Sequence, residues 1–428
     1  MRHEVQMPAT QVSVLPLVRS RRGRGQLGFG FFLAGVTVLG CAGSLPSPRQ
    51  PECGDPPRMV RSPRPEVVAR PAVSTDRIPF GLYSASAADF ARLAQNGFTI
   101  VGPWYVPAPD RSLLDAAHAA GLGVVFPIGE PQGRELEVFA HSEAQTRASI
   151  RARVQEVVDH PAIVAWYVLP EEVRAWETAE FEYLRTTVAA IRAVDPHHRP
   201  ILSYQPNHYD AAALAPVASQ LDIGTKGMYV NYAGQRDTRV WVRWSVDELE
   251  AAGDAPVWVV PEMFEDPANA DAATISAWVR HDVHVGLVAG ARGVLVYSGF
   301  RRKNFARFDD YLRAYEAVAL ELNGPLALGE VLLRGKVCGG QGLDVVEGPS
   351  EVSFAAGGKT HRVPALGQLM IEHAGAQWLW LVNSSPQTLT LRAAAWASAA
   401  LVSRSVGVRQ DGTLVHLPAW GVAVLRRT

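Results

Sequence analysis

The feature that most constrains this chain is an alternation, from Ile78 to about Phe300, of short apolar runs with segments of helical periodicity. The runs are Phe80–Tyr83, Thr99–Tyr105, Gly123–Ile128, Ile163–Leu169, Pro200–Tyr204, Ile223–Tyr229, Pro256–Pro261 and Gly293–Tyr297. Between them, sets such as Phe181, Leu184, Val188, Ile191 and Val194 recur at a spacing that lines one helix face. Runs that are apolar throughout, rather than at every second residue, belong to strands buried on both faces. That is the habit of a parallel sheet covered by helices. Eight units favour a closed (β/α)8 TIM barrel over an open sheet. No glycine-rich phosphate loop follows the first run, which counts against the open nucleotide-binding alternative. The sixth run, with Gly224 and Gly227, fits a strand least well.

The last barrel helix carries Phe308, Leu312, Tyr315, Ala319 and Leu322 and stops at Asn323-Gly324-Pro325. Beyond it the apolar period drops to two. Gln377–Asn383, Thr388–Leu391 and Val415–Leu417 read as short strands separated by Gly, Ser and Asp-Gly turns. The expected organisation is a barrel over residues 77–325 and a small all-β, sandwich-like domain over 326–428.

The N-terminus reads as an address. Arg19, Arg21, Arg22 and Arg24 precede an apolar run, Leu27–Gly40, that is too short for a comfortable membrane span. Val38-Leu39-Gly40-Cys41 resembles a bacterial lipobox, which implies removal of what precedes Cys41 and lipidation of Cys41. An uncleaved anchor and ordinary secretion are the alternatives, and Met7 is a second possible start. Either export route places the protein in the cell envelope or outside it, with a membrane partner only through the lipid anchor. Residues 42–76 are rich in Pro, Ser and Arg and read as an extended tether. A formal net charge of -1 predicts no nucleic-acid partner. Three cysteines, Cys41, Cys53 and Cys338, have no metal-ligand spacing, although an exported Cys53 is available to pair with Cys338.

Active sites of such barrels lie at the C-terminal ends of the strands. There the sequence places Tyr83, Trp104, Tyr105, Glu130, Glu171, Glu172, Tyr204, Asn207, His208, Lys226, Tyr229, Glu262 and Tyr297. No cysteine nucleophile, metal motif or cofactor signature is among them. The fourth run, IVAWYVL, ends in Pro170-Glu171-Glu172, and the seventh, PVWVVP, ends in Glu262. One protonated and one ionised carboxyl across a sugar are the minimal equipment for glycoside hydrolysis. Glu265 and Asp266 are alternatives to Glu262, and Glu172 suits the start of the next helix. His281 and His284 lie on the helix before the eighth strand and read as structural.

HPAIVAWYVLPEE (His160–Glu172) is similar to the strand-four segment HPA-x-x-GWY-x-x-DEP of exported bacterial sugar-hydrolase-like barrels, with Glu171 on the motif's Glu. LDIGTKGMY (Leu221–Tyr229) matches a strand-six segment at Asp222, Gly224 and Tyr229, and GARGVLVYS (Gly290–Ser298) resembles the strand-eight segment. More broadly the chain resembles the clan A glycoside hydrolases. The resemblance implies a retaining enzyme with Glu171 as acid/base, Glu262 as nucleophile, and a saccharide held by Trp104, Tyr105, Tyr204, Asn207, Tyr229 and Tyr297. The chain departs from the pattern at Pro170, where those enzymes carry Asn, and at Lys226, where the narrower motif has Asp. Two other readings stand beside it: a non-catalytic carbohydrate-binding or surface protein on a degenerate barrel, and a lyase using Lys226 with Tyr229.

Overall fold

The computed structural model describes residues 76–105, 109–129, 135–232, 239–339, 343–356 and 358–428. The expectations for residues 1–75, including Cys41 and Cys53, and for Glu130 lie outside the described residues. Eight strands close a barrel: β1 (Phe80–Leu82), β2 (Ile100–Val101), β3 (Gly123–Ile128), β4 (Ile163–Val168), β5 (Ile201–Ser203), β6 (Ile223–Met228), β7 (Val257–Pro261) and β8 (Gly293–Val296). Each pairs in parallel with the next, and β8 returns to β1. The TIM barrel read from the apolar runs is the observed fold.

Outside the strands lie α1 (Phe90–Gln95), α2 (Arg111–Ala119), α3 (Glu135–Phe139), α4 (Glu143–Val157), α5 (Thr178–Val194), α6 (Ala211–Ala218), α7 (Trp241–Ala252), α8 (Ala272–Ala289) and α9 (Phe308–Asn323). Side chains alternate along the strands between the two layers. On β4, Ala165 and Tyr167 join Val125, Leu202, Trp258 and Leu295 inside the barrel, whereas Trp166 and Val168 face the helices. The second strand is shorter than its apolar run. Gly102, at φ 90°, leaves the extended region, and Pro103 has no N–H to offer a neighbour. At β6 one of the two glycines has a packing reason: a Cβ on Gly227 would stand 2.3 Å from the Tyr204 hydroxyl.

After the barrel a further helix, α10 (Leu328–Arg334), corrects the all-β reading of the tail. Its Leu328, Val331 and Leu332 are buried in the barrel's outer core, a helical spacing too short to stand out beside the stop at Gly324-Pro325. The strands that follow are β9 (Lys336–Cys338), β10 (Asp344–Glu347), β11 (Glu351–Ala356), β12 (Lys359–Pro364), β13 (Leu366–His373), β14 (Ala376–Asn383), β15 (Leu389–Arg392), β16 (Ala400–Arg404), β17 (Arg409–Asp411), β18 (Leu414–Leu417) and β19 (Val422–Arg427). They form an antiparallel five-stranded sheet, β16-β19-β14-β13-β9, a four-stranded sheet, β10-β15-β18-β17, and the hairpin β11-β12.

Leu379 and Leu381 of β14 pack with Leu389, Leu391, Val415 and Leu417 of the smaller sheet, as in a sandwich. Trp380 and Val382, on the other face, join the barrel's outer core. This sheet is therefore covered on both sides, which is why QWLWLVN is so apolar. Cys338 is disulfide-bonded. Polar clasps reinforce the junction: His281 of α8 meets Ser384 at 2.9 Å, and Arg280 and Ser403 both hold Glu321 of α9. Both α8 histidines are buried there, in keeping with a structural role.

Because the space over Gly227 is taken by the Tyr204 ring, Gly227→Ala is expected to cost about 1–3 kcal/mol, the range for overpacking. Urea denaturation of the wild type and the variant measures it. An unchanged midpoint would contradict the close approach.

Candidate active site

At the end of β4 the backbone turns sharply. Leu169 N–H donates to Ile128 O (2.8 Å), Glu172 N–H donates to Tyr204 O (3.1 Å), and Glu172 itself adopts φ 60°, in the left-handed region. A non-glycine residue there is uncommon and costs energy that the surrounding contacts must offset. Helix α5 begins only at Thr178, so Glu172 is not the helix-start charge that the sequence suggested. Glu180 fills that place and holds the loop, accepting from the Arg174 N–H (2.8 Å) and from its guanidinium (2.9 Å).

Glu171 is the carboxyl this turn delivers to the mouth. Its Oε1 accepts from the Tyr105 hydroxyl at 2.8 Å and from the Tyr167 hydroxyl. Tyr167 Oη in turn accepts from Tyr204 N–H (3.1 Å) and lies 2.9 Å from Tyr83 Oη. Tyr204, Tyr229 and Tyr297 continue the wall as a stack, with ring centroids 5.9 Å and 5.7 Å apart. Burial dominates the electrostatics of Glu171 and pushes its pKa up to about 7, against the two tyrosine hydrogen bonds that favour the ionised form. The neighbouring Glu172 adds a smaller upward push. Tyr83, Tyr105, Tyr167, Tyr204 and Tyr229 titrate well above the usual phenol range, with burial the largest cause, so all stay neutral.

Glu262 is set differently. It follows β7 and bridges to Tyr297, but its carboxylate is 4% exposed and accepts from Asn231 N–H (2.7 Å) and Tyr232 N–H (3.2 Å). Its surroundings belong to the helix layer. Tyr315 of α9 donates to its carbonyl (2.9 Å), and Asn231 donates to Tyr311 (3.0 Å) and accepts from Arg239 (3.1 Å). Arg239 is paired with Asp282 of α8, which His281 contacts at 2.9 Å. Burial raises Glu262 to about 7 against the field of Arg239 and the two backbone donors. The tyrosines that respond to its charge are Tyr311 and Tyr315, whereas those of the cage respond to Glu171. The hydrogen-bond partners of Glu171 and Glu262 are thus distinct sets, while Tyr297, bridged to Glu262, belongs to the wall beside Glu171. Of the alternatives, Asp266 accepts from the Ala306 and Arg307 N–H groups and serves as a loop cap, and burial raises Glu265 while Arg302 opposes the rise.

Tyr105, Tyr204, Tyr229 and Tyr297 stand together at the mouth. Trp104 does not: it is 9% exposed, donates from Nε1 to Ala85 O (2.9 Å) and packs on Phe90 in the outer core. The turn at Gly102-Pro103 lets Tyr105 reach Glu171 while Trp104 lies back over Gly102. Asn207 is half-buried on the loop between β5 and α6. Lys226 is also withdrawn from the mouth. It lies on the outer face of β6, donates from Nζ to Tyr209 O (2.6 Å), and sits 4.2 Å from the Trp244 ring centroid. Burial brings it down to about 7. The lyase reading loses its lysine by this placement.

Tyr167, Phe264 and Arg302 were missed. Tyr167 was legible in principle, since it shares strand parity with Ala165 and lies four residues before Glu171. Phe264 and Arg302 lie in loops without periodicity; Phe264 packs 5.0 Å from Tyr229, and the Arg302 guanidinium sits 5.7 Å from the Tyr297 ring. Among the described residues, no group of three or more His, Cys, Asp or Glu side chains is arranged to hold a metal.

No protein-family model and no curated protein matches the chain. Solved structures do. A cold-adapted β-galactosidase from Rahnella sp. R3 aligns with TM-score 0.53 at 8% identity, over 83% of this chain and 99% of that one. A family-42 β-galactosidase from G. stearothermophilus gives 0.53 at 8%, over 82% and 98%. A glycoside hydrolase family 5 protein from Bacteroides vulgatus gives 0.51 at 12%, over 82% and 88%. At such identities the likeness is one of fold: the chain has the closed eight-stranded barrel of these glycoside hydrolases.

The hydrogen bonds to Glu171 favour its anion, so Tyr105→Phe is expected to raise its pKa above about 7, as read from the carboxyl infrared band. The sign for stability follows from linkage. A folded pKa of about 7 against an ordinary 4.5 means that Glu171's contribution is fully present below 4.5 and is lost as pH rises through about 7. Glu171→Gln, which cannot ionise, should therefore gain stability relative to the wild type from pH 4.5 to 8 in thermal melts. A constant difference across that range would contradict the raised pKa.

Proposed function

We propose that this chain is a glycoside hydrolase whose barrel mouth binds a saccharide and whose Glu171 donates a proton to the leaving glycosidic oxygen. The observation that carries the reading is the carboxyl of Glu171, raised to about 7 among neutral tyrosine hydroxyls at the mouth of a hydrolase-type barrel. A general acid works best when its pKa lies near the working pH, and burial supplies that here. Tyr105 and Tyr167 fix the orientation of the carboxyl, and the stack of Tyr204, Tyr229 and Tyr297 walls the mouth beside it, with Tyr297 its least buried ring.

A retaining mechanism needs a second carboxylate about 5–5.5 Å from the first, and an inverting one about 6.5–9.5 Å. Glu262 is the acid from the seventh strand for that role, with two backbone N–H groups stabilising its anion. The same engagement, on the side of Arg239 and α9, favours a second reading, a barrel that binds a saccharide without cleaving it. The address at the N-terminus adds export and lipid anchoring through Cys41 to the proposal.

Glu171→Gln is expected to lower kcat/KM on aryl and natural glycosides about 10²–10⁴-fold, the usual contribution of a general acid. With Glu171 protonated and Glu262 ionised in the active form, and both carboxyls raised to about 7, activity should peak narrowly near neutral pH. Undiminished turnover by Glu171→Gln removes it from the acid role. Saccharide binding without turnover by the wild type selects the second reading. For the address, Cys41→Ala should abolish palmitate labelling and release the protein from membranes, and retained labelling would exclude the lipobox.

A further inference from the structure

The most exposed aromatic side chains among the described residues are not scattered. Trp176 (60%), Tyr232 (52%) and Phe300 (49%) all lie on loops that follow barrel strands at the mouth, whereas the exposed aliphatic residues Leu320, Leu326, Val337, Val346 and Val406 lie elsewhere. Single exposed apolar residues need no explanation, but aromatics gathered round one opening mark a contact surface.

They fall into two stations. Trp176, on the loop after β4, leans on Tyr209, on the loop after β5, with centroids 5.6 Å apart. Tyr209 feels the charge of Glu172, so this station adjoins the carboxyl pair. On the other side, Tyr232 packs on Phe264 at 5.6 Å, and the Arg302 guanidinium spans Phe264 and Phe300, 5.6 Å from each centroid. These residues follow β6, β7 and β8. In the ring of strands these loops follow one another, β4 and β5 for the first station and β6, β7 and β8 for the second, so the two stations line successive stretches of the rim beside the tyrosine wall.

From this placement we infer that the ligand of the mouth is a saccharide chain of several units laid across it, gripped at one end by Trp176 and at the other by Tyr232, Phe264 and Phe300. This rests on the saccharide reading of the mouth. The chemistry suits that ligand: a sugar ring has an apolar face of C–H groups for an aromatic ring and a hydroxyl edge for groups such as Arg302 and Glu172. A chain of several units covers both stations and gives their exposed aromatic area a partner.

The test uses the full chain with disaccharides and hexasaccharides of the cellulose, xylan, mannan and starch series, by calorimetric titration and product analysis. In at least one series the hexasaccharide should bind at least tenfold more tightly than the disaccharide. Trp176→Ala and Phe300→Ala should each weaken hexasaccharide binding by roughly tenfold and leave the disaccharide nearly unchanged, as expected for lost burial of an aromatic face. Equal affinity for both lengths in every series, including no binding, overturns the inference. So does hexasaccharide affinity that survives both substitutions. Length-dependent binding without cleavage upholds the chain and sinks the hydrolase. Cleavage of aryl monosaccharides with no length dependence does the reverse.

Discussion

An ionisable group inside a protein needs a countercharge or hydrogen bonds, and Glu171 accepts hydrogen bonds from Tyr105 and Tyr167. Burial is the largest cause of its raised pKa, and the two tyrosine hydroxyls resist it. That balance depends on the barrel being closed. Tyr83 comes from the end of β1, Tyr105 from beyond β2, Tyr167 from β4, Tyr204 from the end of β5, and each reaches Glu171 or one of its partners only because the strands curve into a ring. Opening the sheet would expose the carboxyl to water and return it to an ordinary acid. The chemistry proposed for the mouth is thus a consequence of closure.

Glu262 is held by backbone donors instead. Its backbone donors sit in the segment after β6, and that segment is tied through Asn231 and Arg239 to Asp282 on α8. From Asp282 the contacts continue to His281 and then to Ser384 at the end of β14. Arg239, Asp282, His281 and Ser384 are buried, and buried polar groups of this kind hold position only when their partners are present. The C-terminal sheets are therefore more than an appendage. They cover the outer core with Trp380 and Val382, and they end the polar chain that reaches Asn231.

Much of the fold was legible because apolar continuity is a local property. The third run was read to its observed bounds, and the others lost only residues at their ends. The second strand ended early because Gly102 and Pro103 remove extended geometry and a donor, a signal present in the sequence but outweighed by the hydrophobic residues around it. Helix α10 hid behind a helix stop, since a seven-residue helix leaves too few turns to establish a period. At the mouth, Glu171 and the tyrosines Tyr83, Tyr105, Tyr204, Tyr229 and Tyr297 lie where strand-end position places them, whereas Trp104 does not, because side-chain direction after a turn is set by backbone angles that no pattern reports.

By itself, then, the sequence determined the barrel, its strand order and the identity of the strand-four carboxyl, since these follow from which runs are apolar and where each one stops. The tertiary structure alone decided which groups face one another. It set Glu171 among tyrosines from four different strands, turned the contacts of Glu262 toward Arg239 and α9, and drew Lys226 out of the mouth to the Trp244 face. Those outcomes depend on contacts between residues far apart in the chain and on the torsion of a few residues past each strand. One-dimensional periodicity carries neither.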